Sequence, residues 1–159
     1  MIRPAVRQDG AAIWAILDPV IRAGETYALD RDLSREAALA YWLAADRASF
    51  VAEGEGRVLG TYYLRANQAG GGGHVANCGY ATHPEARGRG IARAMAEHSF
   101  AEARARGFRA MQFNFVVSSN APAVRLWHAL GFETVGRVPE AFDHPSLGLV
   151  DALILYRSL

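Results

Sequence analysis

The chain has 159 residues, of which 51% are hydrophobic and 21% are charged, so it is long and apolar enough to bury one core. Its 17 cationic side chains are all arginine and face 16 acidic ones, and the net charge of +1 lacks the basic excess of a general nucleic-acid binder. The absence of lysine excludes a P-loop lysine and Schiff-base catalysis, and a single cysteine excludes an internal disulfide and a multi-cysteine zinc site. No apolar run is long enough to cross a bilayer. We therefore expect one cytoplasmic domain over residues 1–159 that binds no metal, membrane or nucleic acid.

Predicted strands and helices alternate along the chain. In order they are a strand over residues 2–6, helices that begin at Asp9 and Ser34, strands over 49–53, 58–66 and 75–82, a helix over 88–106, a strand over 109–117, a helix over 121–130, and strands over 133–137 and 150–157. Pro19 predicts a kink or an early end of the first helix, because proline has no N–H to donate. The glycines at 70–73 predict a flexible hairpin loop. This order predicts a mixed α/β sheet with helices on its faces.

Residues 83–93 form a glycine-rich turn between a predicted strand and an amphipathic helix. Gly88 and Gly90 have no side chains, so their backbone N–H groups can approach an anion closely. The start of the helix adds unpaired N–H donors and its positive end. Three arginines add positive charge around the turn, namely Arg87, Arg89 and Arg93. The segment predicts a diphosphate site.

Two other interpretations of this turn compete. A dinucleotide-binding fold needs a third glycine, but Arg93 stands in its place, and the next strand, over 111–115, offers no carboxylate. The other alternative is a helix start that merely contains glycine and carries solvated arginines.

Two sequence blocks at a fixed separation carry a family resemblance. They are Arg87-x-x-Gly90-x-Ala92, and Asn120-x-x-Ala123-x-x-Leu126-Trp127-x-x-x-Gly131-Phe132. Together they resemble the two cofactor segments of the GNAT acetyltransferase superfamily, and the resemblance covers nearly the whole chain. It implies a GNAT fold, in which a mixed sheet is splayed between its fourth and fifth strands and acetyl-CoA is wedged into the split.

The resemblance also implies which residues bind acetyl-CoA. The pantetheine arm would pair with the fourth strand, where the backbone amide near Ala81 would polarise the thioester carbonyl, and the pyrophosphate would bind the turn. The implied cofactor-binding residues are Tyr80, Ala81, Thr82, Arg87, Gly88, Arg89, Gly90, Ile91, Ala92, Arg93, Asn120 and Trp127.

Trp127 departs from many members of the superfamily, which have a tyrosine that protonates the leaving thiolate. An indole N–H can donate a hydrogen bond but does not usefully give up its proton. We therefore assign no general acid, and the alternative for Trp127 is packing against the core and the cofactor.

Two asparagines on predicted strands, Asn77 and Asn114, are the candidate catalytic residues, because asparagine is poorly suited to strand interiors. The surrounding sequence resembles the subgroup that acetylates azetidine-2-carboxylate and related proline analogues. In that subgroup the matching asparagines hold the substrate carboxylate and assist the acetyl oxygen. The subgroup also shares tryptophan at position 127. The alternative is that the two amides stitch the splayed strands together.

Two predicted loops, over 23–27 and 140–147, border the acceptor pocket in GNAT folds. The candidate substrate-binding residues on them are Glu25, Thr26, Tyr27 and Phe142. Glu25 would attract an ammonium group, and Tyr27 and Phe142 would form apolar walls. The alternative for the acidic residue is a solvated carboxylate on a loop.

The resemblance thus implies an N-acetyltransferase that moves the acetyl group of acetyl-CoA to a small amino- or imino-acid-like amine by direct attack. Two alternatives remain open: an acetyltransferase for another amine, such as an antibiotic, a polyamine or a protein N-terminus, and a non-catalytic regulator that binds acyl-CoA. A polyamine site would show several carboxylates in the pocket. Dimers are frequent in the superfamily, so a homodimer is one expectation.

Overall fold

The computed structural model describes residues 1–159 as one seven-stranded sheet with helices on both faces. The elements are β1 (Ile2–Pro4), α1 (Gly10–Ala23), α2 (Arg35–Trp42), β2 (Ala48–Gly54), β3 (Arg57–Ala66), β4 (Val75–Thr82), α3 (Ile91–Ala105), β5 (Ala110–Val117), α4 (Ala121–Ala129), β6 (Glu133–His144) and β7 (Gly148–Ser158). The strands lie in the order β1-β2-β3-β4-β5-β7-β6. The predicted fold class and order of elements are confirmed. No helix has the length and hydropathy of a membrane span.

The sheet is split between β4 and β5. These two strands run parallel and pair only where they begin, at Val75 with Ala110 and at Ala76 with Met111. Every other strand pair is antiparallel. Beyond Ala76 the facing edges of β4 and β5 make no ladder with each other, so their backbone groups are open to a ligand.

Alternation of side chains along β4 divides them between two cores. Ala76 and Cys78 pack in a core with α3 and α4, whereas Ala81 packs on the other face with α1 and α2. Asn77 and Gly79 therefore point to the same face as Ala81. The α1–α2 face is where a substrate can approach the split from the loop between those helices.

Two helix boundaries differ from those that proline and glycine predict in the sequence. Helix α1 does not end at Pro19 but continues to Ala23, and it terminates at Gly24, which has a φ of 66°. Helix α3 begins at Ile91 rather than at residue 88, because Gly88 and Gly90 adopt φ values of 75° and 79° that are incompatible with a right-handed helix.

The predicted loop over 140–147 is mostly strand. β6 extends to His144, and Phe142 pairs with Val150 of β7. The register shifts between Val138 and Phe142, where the Glu140 N–H donates to Asp151 Oδ1 at 3.0 Å. This irregularity interrupts the strand pattern in the sequence and makes the segment resemble a loop.

Candidate active site

The turn before α3 presents a group of unpaired backbone donors. Gly90 is the N-terminal cap residue of α3. The backbone N–H groups of Gly88, Gly90, Ile91, Ala92 and Arg93 donate no hydrogen bond within the chain. Unpaired N–H donors at the positive end of a helix can bind an anion, and the left-handed conformation of Gly88 and Gly90 leaves these donors free of the helix ladder.

The three arginines of the turn are not equivalent. Arg89 is paired with Glu55, and Arg93 Nη1 lies 3.7 Å from Glu97 Oε1. Arg87 has no carboxylate partner and lines the adjacent cavity. It is therefore the arginine that is free to contact a bound anion.

A cavity of about 540 Å³ extends along the split. The predicted site residues that line it are Glu25, Thr26, Tyr27, Asn77, Tyr80, Ala81, Thr82, Arg87, Asn114, Asn120 and Trp127. The remaining residues of the predicted phosphate turn follow Arg87 outside this lining. Phe142 does not line the cavity: its ring lies behind Phe115, with the two ring centres 6.2 Å apart, and Phe115 forms the wall instead.

Alternate residues of β4 direct their backbone N–H and C=O groups towards the split. His83 N donates to Leu59 O at 2.8 Å, and in an antiparallel ladder the paired residues alternate, so Ala81 directs its N–H and C=O towards β3. Tyr80 and Thr82 direct theirs towards the split. In this register, the backbone N–H groups near Ala81 that are open to a thioester carbonyl are those of its neighbours Tyr80 and Thr82, and not that of Ala81 itself.

Asn77 lies at the vertex of the split, one residue beyond the last β4–β5 pair. Its Nδ2 donates to Gln112 O at 2.9 Å, and its Oδ1 is 3.5 Å from Arg65 Nε. The amide thus joins the two diverging strands, as the alternative interpretation of this residue requires, and it also contacts a cation inside the cavity.

Asn114 is exposed in the cavity rather than buried. Its Nδ2 donates to Asn67 Oδ1 at 2.6 Å, and its Oδ1 accepts from Gln112 Nε2 at 3.0 Å. One amide hydrogen remains available, so Asn114 can donate to a substrate without breaking either contact. Asn120 begins α4, and its side chain makes no capping hydrogen bond.

One backbone carbonyl of β4 that faces the split already accepts a hydrogen bond from a tyrosine hydroxyl. Tyr27 Oη donates to Tyr80 O at 2.5 Å, and burial raises the pKa of Tyr27 well above its usual range. The Tyr80 side chain lies on the opposite face, where its hydroxyl is 2.7 Å from Ser99 Oγ, and burial raises its pKa as well. Both phenols remain protonated at neutral pH.

Trp127 packs against aromatic rings at the back of the split. Its ring centre is 5.0 Å from that of Tyr80 and 4.8 Å from that of Phe113. The indole N–H has no acceptor within the chain. The geometry therefore shows that Trp127 packs against these rings while its N–H has no partner within the chain.

This fold and cavity have counterparts in known proteins. The family model described as Acetyltransferase (GNAT) family matches residues 14–132. The chain belongs to the GNAT acetyltransferase family. Among solved structures, a GCN5-related N-acetyltransferase from Kribbella flavida is 39% identical with a TM-score of 0.95, and the match covers 100% of this chain and 97% of the other. The predicted family is confirmed.

Two further relatives bear on the ligand and on chain length. A GNAT phosphinothricin acetyltransferase from Sinorhizobium meliloti, solved in complex with acetyl-CoA, is 26% identical with a TM-score of 0.87, and the match covers 100% of this chain and 88% of the other. The N-acetyltransferase aca1 of Schizosaccharomyces pombe is 28% identical over 137 residues, which is 76% of this chain and 66% of that protein. The chain thus spans just under two thirds of that relative.

Several cavity residues of this GNAT protein were not found from its sequence. Arg65 on β3 lines the cavity, and so do Tyr41 and Tyr63, whose hydroxyls are 3.4 Å apart. The Arg47 guanidinium lies 4.1 Å and 4.4 Å from the two tyrosine ring centres. The sequence signal was weak, because Arg65 and Tyr63 look like ordinary residues of an alternating strand.

Gly79 is a second residue that sequence reasoning missed. A Cβ at this position would lie 2.5 Å from the ring of Tyr63. Glycine at position 79 therefore allows Tyr63 to lie across β4 at the wall of the cavity. A glycine inside a predicted strand was the available signal, since it indicates a close approach by another group.

Neither the single cysteine nor a cluster of metal-binding side chains forms a second site. Burial raises the pKa of the Cys78 thiol to about 12, so it is a packed neutral thiol. No three His, Cys, Asp or Glu side chains lie together as metal ligands.

Proposed function

We propose that the protein transfers the acetyl group of acetyl-CoA to the amine of a small amino- or imino-acid-like substrate by direct attack. The observation that carries this proposal is a single cavity, about 540 Å³ in volume, that runs along the β4–β5 split from Arg87 to the polar residues at the vertex. One end suits a diphosphate and the other suits a small polar acceptor.

The donor end fits acetyl-CoA in its charge and in its backbone groups. Five unpaired N–H groups and Arg87 would hold the pyrophosphate. The N–H of Tyr80 and the backbone groups of Thr82 would pair with the amides of the pantetheine arm as an added strand does, whereas Tyr80 O already accepts from Tyr27. Trp127 would pack against the same arm.

The reaction needs few catalytic groups. The neutral amine attacks the thioester carbonyl carbon, the C–N bond forms, the C–S bond breaks, and coenzyme A leaves as a thiolate that takes up a proton from solvent. The oxygen carries negative charge in the intermediate, and open β4 N–H groups with the free amide hydrogen of Asn114 would stabilise it. The amine loses its proton to water, and holding both reactants in one cavity supplies most of the acceleration.

The cavity disfavours one alternative acceptor. Its lining contains three charged side chains, Glu25, Arg65 and Arg87, so Glu25 is the only carboxylate in it. A polyamine carries several positive charges and would require more acidic partners. A compact acceptor with few charges suits the lining better.

Thiol release from acetyl-CoA tests the proposal. Release that requires an added amino or imino acid is expected, with the acetylated amine detected by mass spectrometry. Binding of acetyl-CoA without release for any amine would instead identify a regulator. Asn114→Ala is expected to lower kcat about tenfold while leaving coenzyme A affinity unchanged, and the nearly isosteric Asn114→Asp should be worse for an acceptor with a carboxylate. Equal loss of binding and turnover would make Asn114 structural.

A further inference from the structure

We infer that Arg65 is the anion anchor of the acceptor site: it binds a carboxylate of the acceptor, and Asn77 positions it. The inference rests on the proposed function, since it names the chemical class of that same acceptor. The class is a small amine that carries one carboxylate close to the reacting nitrogen.

Among the charged side chains that line the cavity, Arg65 is the one that the diphosphate end does not explain. The two cationic side chains in the lining are Arg87 and Arg65. Arg87 precedes the unpaired N–H groups of the turn and belongs to the diphosphate end. Arg65 lies at the other end of the cavity, away from these N–H groups, where a second anionic group would complement its charge.

The two arginines belong to opposite ends of the cavity. Arg65 is paired in register with Asn77 across the β3–β4 ladder. Asn77 lies five residues before Thr82, the last residue of β4, and at about 3.3 Å per residue this separation is about 17 Å. Arg65 therefore lies at the vertex of the split, at the opposite end of β4 from the turn that would bind the diphosphate.

The partners of Arg65 leave most of its guanidinium available. Its Nε is 3.5 Å from Asn77 Oδ1, and its Nη1 is 3.8 Å from Asp46 Oδ2, a carboxylate that is 61% exposed. Both contacts are longer than the 2.7–2.9 Å typical of a charge-assisted hydrogen bond. No contact within the chain engages Nη2. An incoming carboxylate can therefore displace a weak, solvated pair and form the stronger bidentate one.

Asn77 supports this arrangement as a positioning residue. Because its Nδ2 is held by Gln112 O at 2.9 Å, its Oδ1 is turned towards Arg65. The amide oxygen cannot itself bind a carboxylate, but it fixes the guanidinium plane at the vertex. Asn114 and its partner Gln112 add neutral amides on the same face of β5.

The other side chains that line the acceptor end of the cavity indicate what the rest of the substrate looks like. Tyr41 and Tyr63 provide aromatic surface and hydroxyls next to Arg65, and Glu25 lies on the α1–α2 loop. A small ring or short side chain fits against the tyrosines, while the glutamate repels a second carboxylate and attracts an ammonium group. One carboxylate and one amine on a compact frame satisfy all three features.

Kinetics with a matched pair of acceptors test the inference. The probes are azetidine-2-carboxylate and its carboxamide, assayed by thiol release from acetyl-CoA with wild type, Arg65→Ala, Arg65→Lys and Arg137→Ala. Arg137 is an exposed arginine of β6 that is paired with Asp151, so its removal controls for the change in net charge. Each variant sees the same two acceptors, so their intrinsic reactivities cancel when the acid-to-amide ratio of kcat/KM in a variant is divided by that in wild type.

We expect wild type and Arg137→Ala to prefer the acid over the amide by about tenfold in kcat/KM. Arg65→Ala should abolish this preference by raising the KM for the acid, with kcat/KM for the amide and coenzyme A affinity unchanged. Arg65→Lys should restore part of the preference, because lysine keeps the charge but loses the bidentate geometry. An acid-to-amide ratio of kcat/KM that is the same in Arg65→Ala as in wild type, with or without an equal loss for both acceptors, would overturn the inference.

Failure of the proposed function gives a different result. If neither acceptor is acetylated, calorimetric titration of the coenzyme A complex with the same two compounds decides the matter. Binding of the acid alone, lost in Arg65→Ala, would support the anchor without catalysis. Equal binding of both compounds, or binding of neither, would refute it.

Discussion

The two ends of the cavity offer different kinds of polar group to the ligands proposed for them. At the diphosphate end, the donors are backbone N–H groups of five residues within one continuous segment. At the acceptor end, the polar groups are side chains from separate elements, with Arg65 on β3, Asn77 on β4, Asn114 on β5 and Tyr27 on the α1–α2 loop. A site made from backbone depends on local dihedral angles, whereas a site made from side chains depends on how strands are registered.

This difference predicts how each end responds to mutation. Backbone donors are lost only when the local conformation changes, so glycine substitutions should affect the diphosphate end most. The acceptor end should be sensitive to single side chains and to contacts that hold them, with coenzyme A binding left intact.

The largest effect is expected for Gly90→Val. A β-branched residue is strained at a φ of 79°, so the turn should rearrange and coenzyme A should bind about 100-fold more weakly. Gly107→Val is the matched control, because Gly107 follows the other end of α3 with a φ of 85° and, like Gly90, has open space within 4 Å of where a Cβ would lie. Both variants should lose about 1–2 kcal/mol of stability. Similar coenzyme A affinities in the two variants, measured by calorimetry, would contradict a backbone site.

Gly79→Ala is expected to damage the acceptor end alone. The new methyl group would meet the Tyr63 ring at 2.5 Å and push it from the cavity wall, which should lower kcat/KM for the acceptor about tenfold. Coenzyme A affinity should change by less than about twofold. Gly71→Ala, in the loop between β3 and β4 with nothing near its Cβ, controls for the loss of glycine. A parallel loss of coenzyme A binding would show that the two ends are not separable.

Among the arginines of the turn, Arg87→Ala should have the greatest effect on coenzyme A affinity. Because Arg87 has no carboxylate partner, its loss should raise the Kd about fivefold and make binding less dependent on salt. Arg89→Ala and Arg93→Ala should cost less, since those side chains already pair with Glu55 and Glu97. Titrations at two ionic strengths give the order, and three equal effects would mean that the side-chain pairs exchange freely with the ligand.

The smallest effect concerns pH and belongs to the acceptor end. Burial raises the pKa of Tyr63 above its usual value of about 10, so the folded state keeps this phenol neutral while the unfolded chain ionises. Its contribution to stability is therefore complete below about pH 10 and is lost as the pH rises towards the folded pKa. Between about pH 8 and about pH 11, Tyr63→Phe should lose about 1 kcal/mol less stability than wild type in urea unfolding. From about pH 6 to about pH 8, where tyrosine does not titrate, the difference between the two proteins should stay constant. Equal losses at alkaline pH would disprove the buried, neutral state of Tyr63.

Much of the fold follows from local signals in the sequence. The alternation of strands and helices, the turn at Gly88 and Gly90, and the end of α3 near Gly107 are all set by residues close together in the chain. The continuation of α1 past Pro19 and the extension of β6 to His144 were not predicted from the sequence. Packing of α1 on the sheet and pairing of β6 with β7 outweigh the local conformational preferences of these residues.

The sequence alone determined the groups of the proposed diphosphate site, since its N–H donors, its glycines and Arg87 lie within a few consecutive residues. The tertiary structure decided the acceptor site. Only the register of β3 on β4 places Arg65 beside Asn77, and only the splay of β4 from β5 leaves Gln112 within reach of that amide. These contacts join residues 12 and 35 positions apart, and no local preference of the chain encodes such distances.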